Sequence, residues 1–481
     1  LSFFVVGGYR SGWREKTMRE YDVILIGSGG GAKITQALSR LGRRVALIEK
    51  DRAGGTCLNR GCIPSKMLIH PSGLVEKLRR AHKLKITAGS PVVDFEALVA
   101  SINAYTDGVS DHLASGFERM DHVDYYQGEA RFASAREVRV GEHRLTAEKI
   151  VIATGSRPFI PDIPGLTGTP FMTSTEALRG RKLPRRLIVI GGGYIAAELG
   201  GAYAGFGTAV TFLLRHSFLK REDPEVVAEF TKAFCPGKTV HENTRIDRVD
   251  YRGGLFTVAC RHADGRSFNV EAEALLVATG ITPNSDRLDL AAVGVAVRAD
   301  GFIQVNDYLQ TSVSGIYALG DVAGRYLFRH SVNFEAEYWV EANVIADAPA
   351  PIHYPPMPGA VFTHPEIASV GLTEPEAKRR GLDVVIARAH YPSCAMAVAR
   401  GLEHGLVKLV LDRKTGRLLG AHIVGEEAST MIQELILAMT HGMTAAEVYR
   451  AIYIHPAFPE VIRNAIRDAI RQLDPRRGQL F

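Results

Sequence analysis

The chain has 481 residues, of which 46% are hydrophobic and 23% charged, with 48 glycines; this is enough for about three domains and describes a folded α/β protein rich in tight turns, not a disordered or fibrous one. The net charge of +6 forms no long basic run, which points to anionic small ligands and gives no ground for nucleic-acid binding, and no apolar run reaches the roughly 18 residues of a membrane span. Five cysteines in a chain this long do not make a secreted disulfide scaffold, so a reducing, cytoplasmic setting is expected.

Residues 1–17 fit poorly with the rest of the chain. Leu1 to Val6 is apolar but short, and Arg10, Arg14 and Lys16 come after it, the reverse of a secretory signal. An extension upstream of the natural start, poorly ordered, is expected there. Tyr21 to Ile26 then reads as a strand running into Gly27-Ser28-Gly29-Gly30-Gly31-Ala32, with a helix to Leu41 next and a strand from Val45 to Ile48 closed by Glu49. Strand, glycine turn, helix, strand and acid is the order of a dinucleotide fold, with Ala32 as the third small residue. Gly27 and Gly29 let the backbone approach a diphosphate at the helix N-terminus, and Glu49 can accept hydrogen bonds from a ribose. A glycine turn used only for packing is the plainer reading.

Directly afterwards comes Gly54-Gly55-Thr56-Cys57-Leu58-Asn59-Arg60-Gly61-Cys62-Ile63-Pro64-Ser65-Lys66. Five helical steps of about 1.5 Å would separate the two cysteine Cα atoms by roughly 7.5 Å, beyond the roughly 7 Å limit for a disulfide. A bridge therefore needs an irregular turn, for which Gly61 supplies backbone freedom. Pro64 suits the first turn of a helix beginning there. Cys62 would then lie near a helix N-terminus, where the dipole and Lys66 favour its thiolate. Two unrelated thiols, or half of a metal site, are the alternatives that spacing alone leaves open.

The pattern repeats. Leu187 to Ile190 is an apolar strand, Gly191-Gly192-Gly193-Tyr194-Ile195-Ala196 a second glycine turn, and Val210 to Leu214 the next strand. At the place of the ribose acid stands Leu214, then Arg215 and His216, with Lys220 and Arg221 nearby. Arginine pairs with a 2′-phosphate that an acid would repel, so this site reads as favouring NADPH over NADH. Each half also carries a strand ending in Ala-Thr-Gly, at Thr154-Gly155 and at Thr279-Gly280, and Ile316 to Asp321 is a further strand ending in Gly320-Asp321. From about Tyr354 the composition changes. Leu406 to Leu411 and Leu418 to Val424 read as antiparallel strands, and Thr430 to Met439, Thr444 to Ile452 and Pro459 to Leu473 as helices. In the tail, His455 has the type and spacing of a general base oriented by Glu460, although a lone histidine is more often structural.

Together these segments resemble the class I pyridine nucleotide–disulfide oxidoreductases over nearly the whole chain from Met18. The resemblance implies two Rossmann-like nucleotide-binding domains, one inserted in the other, plus a C-terminal α+β dimerisation domain. The expected boundaries are 18–160 with 285–352 for FAD, 161–284 for NAD(P)H and 353–481 for dimerisation. It implies FAD on Gly27, Gly29, Ala32, Glu49, Lys50, Gly55, Thr56, Lys66, Thr154, Gly155, Gly320 and Asp321. NADPH, or NADH, would lie on Gly191, Gly193, Tyr194, Ile195, Arg215, His216 and Gly280. Cys57 and Cys62 would form the redox disulfide, Cys62 against the flavin and Cys57 attacking a small disulfide substrate. The enzyme would be a homodimer in which His455 of the partner subunit, oriented by the partner's Glu460, serves Cys57. Lys66 matches the lysine beside the flavin and Glu198 its ion-pair partner. No metal, nucleic acid or membrane partner is expected.

Within the family, the stretches 326–333, 416–423 and 453–461 look most like the mycothione reductases, with the dihydrolipoyl dehydrogenases next. A flavoprotein that uses the cysteine pair for sensing or assembly, not turnover, is the alternative from another class; the set Cys57, Cys62, Lys66, His455 and Glu460 argues against it.

Overall fold

The computed structural model describes residues 18–478; the expected extension over residues 1–17 lies outside the described residues. The architecture is the α/β arrangement that the resemblance implies: two Rossmann-like nucleotide folds and a C-terminal α+β part. By its internal contacts the chain divides into two compact units. Among the described residues, one holds those up to Gly55 with Asp111–Ser156 and Pro283–Ile352; the other holds Thr56–Ser110, Arg157–Thr282 and those from His353 onward.

In the first unit β1 (Arg19–Ile26), α1 (Gly31–Arg40) and β2 (Val45–Glu49) succeed one another as the hydrophobic pattern dictates. All five residues of β2 are buried, as expected for a parallel strand covered on both faces. With β3 (Val123–Gln127), β4 (Ala130–Ser134), β5 (Glu137–Val140) and β6 (His143–Ile152), the sheet runs β3-β2-β1-β6-β5-β4, and Ile316–Ala318 joins it beside β6. β3, β2, β1, β6 and the 316–318 strand are parallel, which brings the carboxyl ends of β1, β6 and the last strand to one edge. Ligands of open α/β sheets bind at such edges.

In the second unit a parallel sheet has the order Thr239–His241, Ala209–Leu213, Arg186–Ile190, Ala274–Val277. The strands Pro358–Val361, Glu366–Gly371, Leu418–Gly425, Leu406–Asp412 and Val384–His390 form an antiparallel sheet in that order. The helices Ala428–Thr440 and Pro459–Leu473 bury Leu435, Ile462 and Ile466 on it. One apolar core joins Leu68 and Ile69 to Val189, Phe212 and Phe230, and on to Val361 and Leu406.

Two polar groups stand out within this unit. Lys408 is 2% exposed, and its Nζ lies 2.9 Å from Asp223, 3.0 Å from Glu225 and 2.7 Å from Glu374. Burial alone would lower its pKa, but the three carboxylates prevail and raise it. Glu434, on the helix Ala428–Thr440, has a buried Oε1 with no hydrogen-bond partner among the described residues, as does the Tyr453 hydroxyl. Burial pushes the Glu434 carboxyl from its ordinary 4.5 up to about 7.

The folded protein therefore holds the Glu434 proton more tightly than the unfolded chain does. The resulting stability is full below the ordinary value and is lost as pH rises through about 7. Glu434→Gln is expected to flatten the fall in stability between about pH 5 and about pH 8. Denaturant melts across that range check this, and an unchanged slope would refute it.

Candidate functional site

The cysteine segment folds as two helices separated by a break. α2 (Gly55–Arg60) carries Cys57 and α3 (Cys62–Arg80) begins at Cys62, with Gly61 between them at φ −143° and ψ −120°. A Cβ on Gly61 would stand 2.9 Å from the Thr56 carbonyl oxygen and 3.4 Å from the Cys57 Cα. The irregular turn thus doubles the chain back on itself where a side chain at position 61 would not fit. Cys62 opens α3 and is exposed, while Cys57 is half-buried. At this helix start the partial positive charge of the unsatisfied N–H groups favours a thiolate.

One turn further on, Lys66 turns aside. Its Nζ lies 2.9 Å from Glu198 Oε2 and 4.3 Å from the centre of the Phe362 ring. Glu198, 9% exposed at its side chain, also accepts the Phe362 N–H at 3.0 Å through Oε1. The lysine charge is therefore engaged by Glu198.

His455 and Glu460 lie together at the start of the helix Pro459–Leu473. His455 Nδ1 is 2.9 Å from Glu460 Oε1, and Glu460 Oε2 accepts the Ala457 N–H at 3.1 Å. The hydrogen bond from His455 holds the Glu460 carboxyl below its usual range. The imidazole is 73% exposed, so its Nε2 is open to an incoming group. A carboxylate on Nδ1 fixes the ring so that Nε2 can exchange a proton.

The first glycine turn takes the shape a dinucleotide needs. Gly27 has φ +108°, and a Cβ there would meet the Ala153 carbonyl oxygen at 2.3 Å. Gly29 and Gly55 face each other so closely that a Cβ on Gly55 would lie 2.8 Å from the Gly29 Cα. This backbone-only cradle, beside the uncapped start of α1, suits a diphosphate. Glu49, the last residue of β2, accepts from the Ser28 N–H at 2.9 Å and the Ser28 hydroxyl at 2.7 Å. Asp321 accepts the Ser156 hydroxyl at 2.6 Å, and burial raises its pKa despite that bond. Thr154 donates to the Asn284 carbonyl at 2.9 Å, the Gly320 N–H is bound by Glu335 at 2.6 Å, and Lys50 and Thr56 are exposed.

The second glycine turn repeats the geometry. Gly191 has φ +124°, and a Cβ on it would stand 2.2 Å from the Ala278 carbonyl oxygen. Leu214 is 1% exposed, so the place of the ribose acid is an apolar contact in the core, whereas Arg215 and His216 stand in solvent. Ile195 is 38% exposed, and Gly280 ends its turn at φ +137°. Tyr194 donates its hydroxyl to Glu222, whose other oxygen accepts the Ser369 hydroxyl at 2.7 Å. Glu222, Ser369, Phe362, Ser156 and Glu335 hold the named residues in place. No spacing in the sequence announces them, because each lies far along the chain from its partner.

The family pattern described as pyridine nucleotide-disulphide oxidoreductase matches residues 21–343, and that of its dimerisation domain matches residues 357–466. The chain belongs to the pyridine nucleotide-disulphide oxidoreductases. It is 37% identical over 463 residues to the mycothione reductase of Mycobacterium tuberculosis, covering 93% of this chain and 99% of that one. It is 35% identical over 466 residues to the dihydrolipoyl dehydrogenase of Bacillus subtilis, covering 94% and 97%. The HOCl-induced flavoprotein disulfide reductase RclA of Escherichia coli has a similar structure, with a TM-score of 0.84 at 28% identity over 93% of this chain and 99% of that one.

This oxidoreductase is therefore a flavoprotein acting on sulfur groups with NAD(P)H, and FAD and NAD(P)H are the cofactors its family uses. Among the described residues no helix is long and apolar enough to cross a membrane.

Proposed function

We propose that the chain is an NADPH-dependent reductase of a small disulfide of the mycothione type, working as a homodimer. The observation that carries the reading is the break at Gly61, which starts α3 at Cys62 and folds Cys57 back beside it. FAD, when bound, passes the electron pair of the nicotinamide hydride on to the disulfide. In this reading Glu49, held by Ser28, would take a ribose, Asp321 would hold the flavin chain, and Lys66, fixed by Glu198, would supply positive charge to the flavin.

The Cys57 thiolate attacks one sulfur of the substrate, forming a mixed disulfide and expelling the other half as a thiolate. That thiolate takes its proton from the imidazolium of the partner subunit's His455, which the partner's Glu460 stabilises. Cys62 then attacks the Cys57 sulfur, restoring the Cys57–Cys62 disulfide and releasing the second thiol. Ile452 and Ile454, 99% and 79% exposed beside His455, support a surface that a second copy covers.

The buried Leu214 and exposed Arg215 and His216 support NADPH. A dihydrolipoyl dehydrogenase is the second reading, favoured by the 35% identity to that enzyme.

Stopped-flow reduction by NADPH and by NADH, then turnover of mycothiol, glutathione and lipoamide disulfides, tests both. Expected are preferential reduction by NADPH and fastest reoxidation by a low-molecular-weight thiol disulfide. Arg215→Ala is expected to raise KM for NADPH about 10-fold or more while leaving that for NADH nearly unchanged, as loss of a charge-assisted contact to the 2′-phosphate predicts. Preference for NADH with rapid lipoamide turnover would replace this reading by the second.

A further inference from the structure

We propose that Arg329 is the side chain that clamps the diphosphate of the bound flavin dinucleotide over the first glycine turn. The inference rests on the use of FAD and adds a residue that the glycine fingerprint does not contain.

Arg329 opens the helix Arg329–Val340, whose first turn carries no acid. A cation at that end opposes the helix dipole. The side chain is half-buried and has no hydrogen-bond or ion-pair partner among the described residues. Its Nη1 lies 4.0 Å from where a Cβ on Gly29 would stand. Gly29 belongs to the turn before α1, which also has no side-chain cap and no acid in its first turn.

The Arg329 guanidinium and the start of α1 therefore meet at the glycine turn. The acids nearby are committed elsewhere: Glu49 to Ser28, Glu335 to the Gly320 N–H and Glu337 to Lys33. The placement is fixed from the other side, since a Cβ on Gly30 would overlap Val332 at 2.3 Å, so this helix rests directly on the turn.

An unfavourable convergence of positive charge becomes favourable once a dianion fills it. The planar guanidinium pairs with two phosphate oxygens while backbone N–H groups bind the others. A neutral ligand would leave the charge uncompensated, so the geometry selects the diphosphate and not the adenine or flavin rings.

The test is FAD binding by the full-length chain, stripped of flavin and titrated back, read by flavin fluorescence, with ADP and adenosine as competitors. Arg329→Gln is expected to weaken FAD and ADP alike by about 10- to 100-fold and to leave adenosine within a factor of about two, the loss of a charge-assisted pair. Arg329→Lys should recover only part of the affinity, since it keeps the charge but not the two-oxygen fork, and the flavin-free Arg329→Gln chain should melt no lower than the flavin-free parent.

Unchanged FAD affinity in Arg329→Gln would overturn the proposal. So would equal weakening of ADP and adenosine, or a lower melting temperature of the flavin-free variant, since either outcome means that Arg329 supports the fold. A parent chain that takes up no flavin would overturn the flavin reading itself, a result distinct from any of these.

Discussion

Cys57→Ser is expected to lower disulfide-reductase turnover by on the order of 10³-fold or more, because a serine hydroxyl is no thiolate at neutral pH and cannot form the mixed disulfide. Cys62→Ser should be equally inactive in steady state, but for a different reason. It retains the attacking thiol, so a single encounter with substrate leaves a stable mixed disulfide on Cys57 that intact mass spectrometry reads as one added substrate half. Cys57→Ser should show no such adduct. In the parent chain NADPH should make both thiols titratable by a thiol reagent. Turnover surviving in Cys57→Ser would sink the redox-pair mechanism, and adducts of equal yield in both variants would reverse the assigned order of the cysteines. The order of the two cysteines belongs to the proposed function; Cys62 is the first residue of α3 and Cys57 the third of α2.

The second large effect is on stability. Lys408→Met is expected to destabilise the chain by about 3–5 kcal/mol, because the buried Asp223 carboxylate loses its cation, while Glu225 keeps Arg388 and Glu374 keeps Lys378. Asp223 is fully buried and caps the helix Pro224–Phe234 through the Glu225 N–H at 3.0 Å. That helix comes just after the segment with Arg215, His216 and Glu222, so KM for NADPH should rise with the loss of stability.

Lys408 helps to hold the Glu225 and Glu374 carboxyls below their ordinary range, so the variant's deficit should shrink as pH falls and those acids take up protons. Thermal melts at neutral and mildly acidic pH measure both parts. A melting temperature equal to the parent's would show that the three acids do not depend on Lys408.

Much of this protein was legible in its sequence because the deciding features are local. The apolar run 45–48 ending in Glu49, the glycines that precede each nucleotide-fold helix and the helix Pro459–Leu473 arise from periodicity and turn chemistry over a few residues, and each forms where it was expected. The break between Cys57 and Cys62 was legible for the same reason, since helical spacing and a glycine at position 61 act within one turn. The five-residue interval from His455 to Glu460 is likewise local, and the two side chains meet at 2.9 Å.

The tertiary structure decides which distant partner each of these residues takes, since no local spacing names it. Lys66 lies one turn past Cys62, yet its charge goes to Glu198, 132 positions along the chain, a partner that the family resemblance named and no periodicity could. Lys408 is the one charged residue of the strand expected over Leu406 to Leu411, and it is sealed among three acids from two other segments. Arg329 looks like an ordinary helix residue until its guanidinium is found over Gly29. Such pairings depend on how strands and helices pack, because the loss of water around a charge, not its position in the chain, sets how strongly it needs a partner.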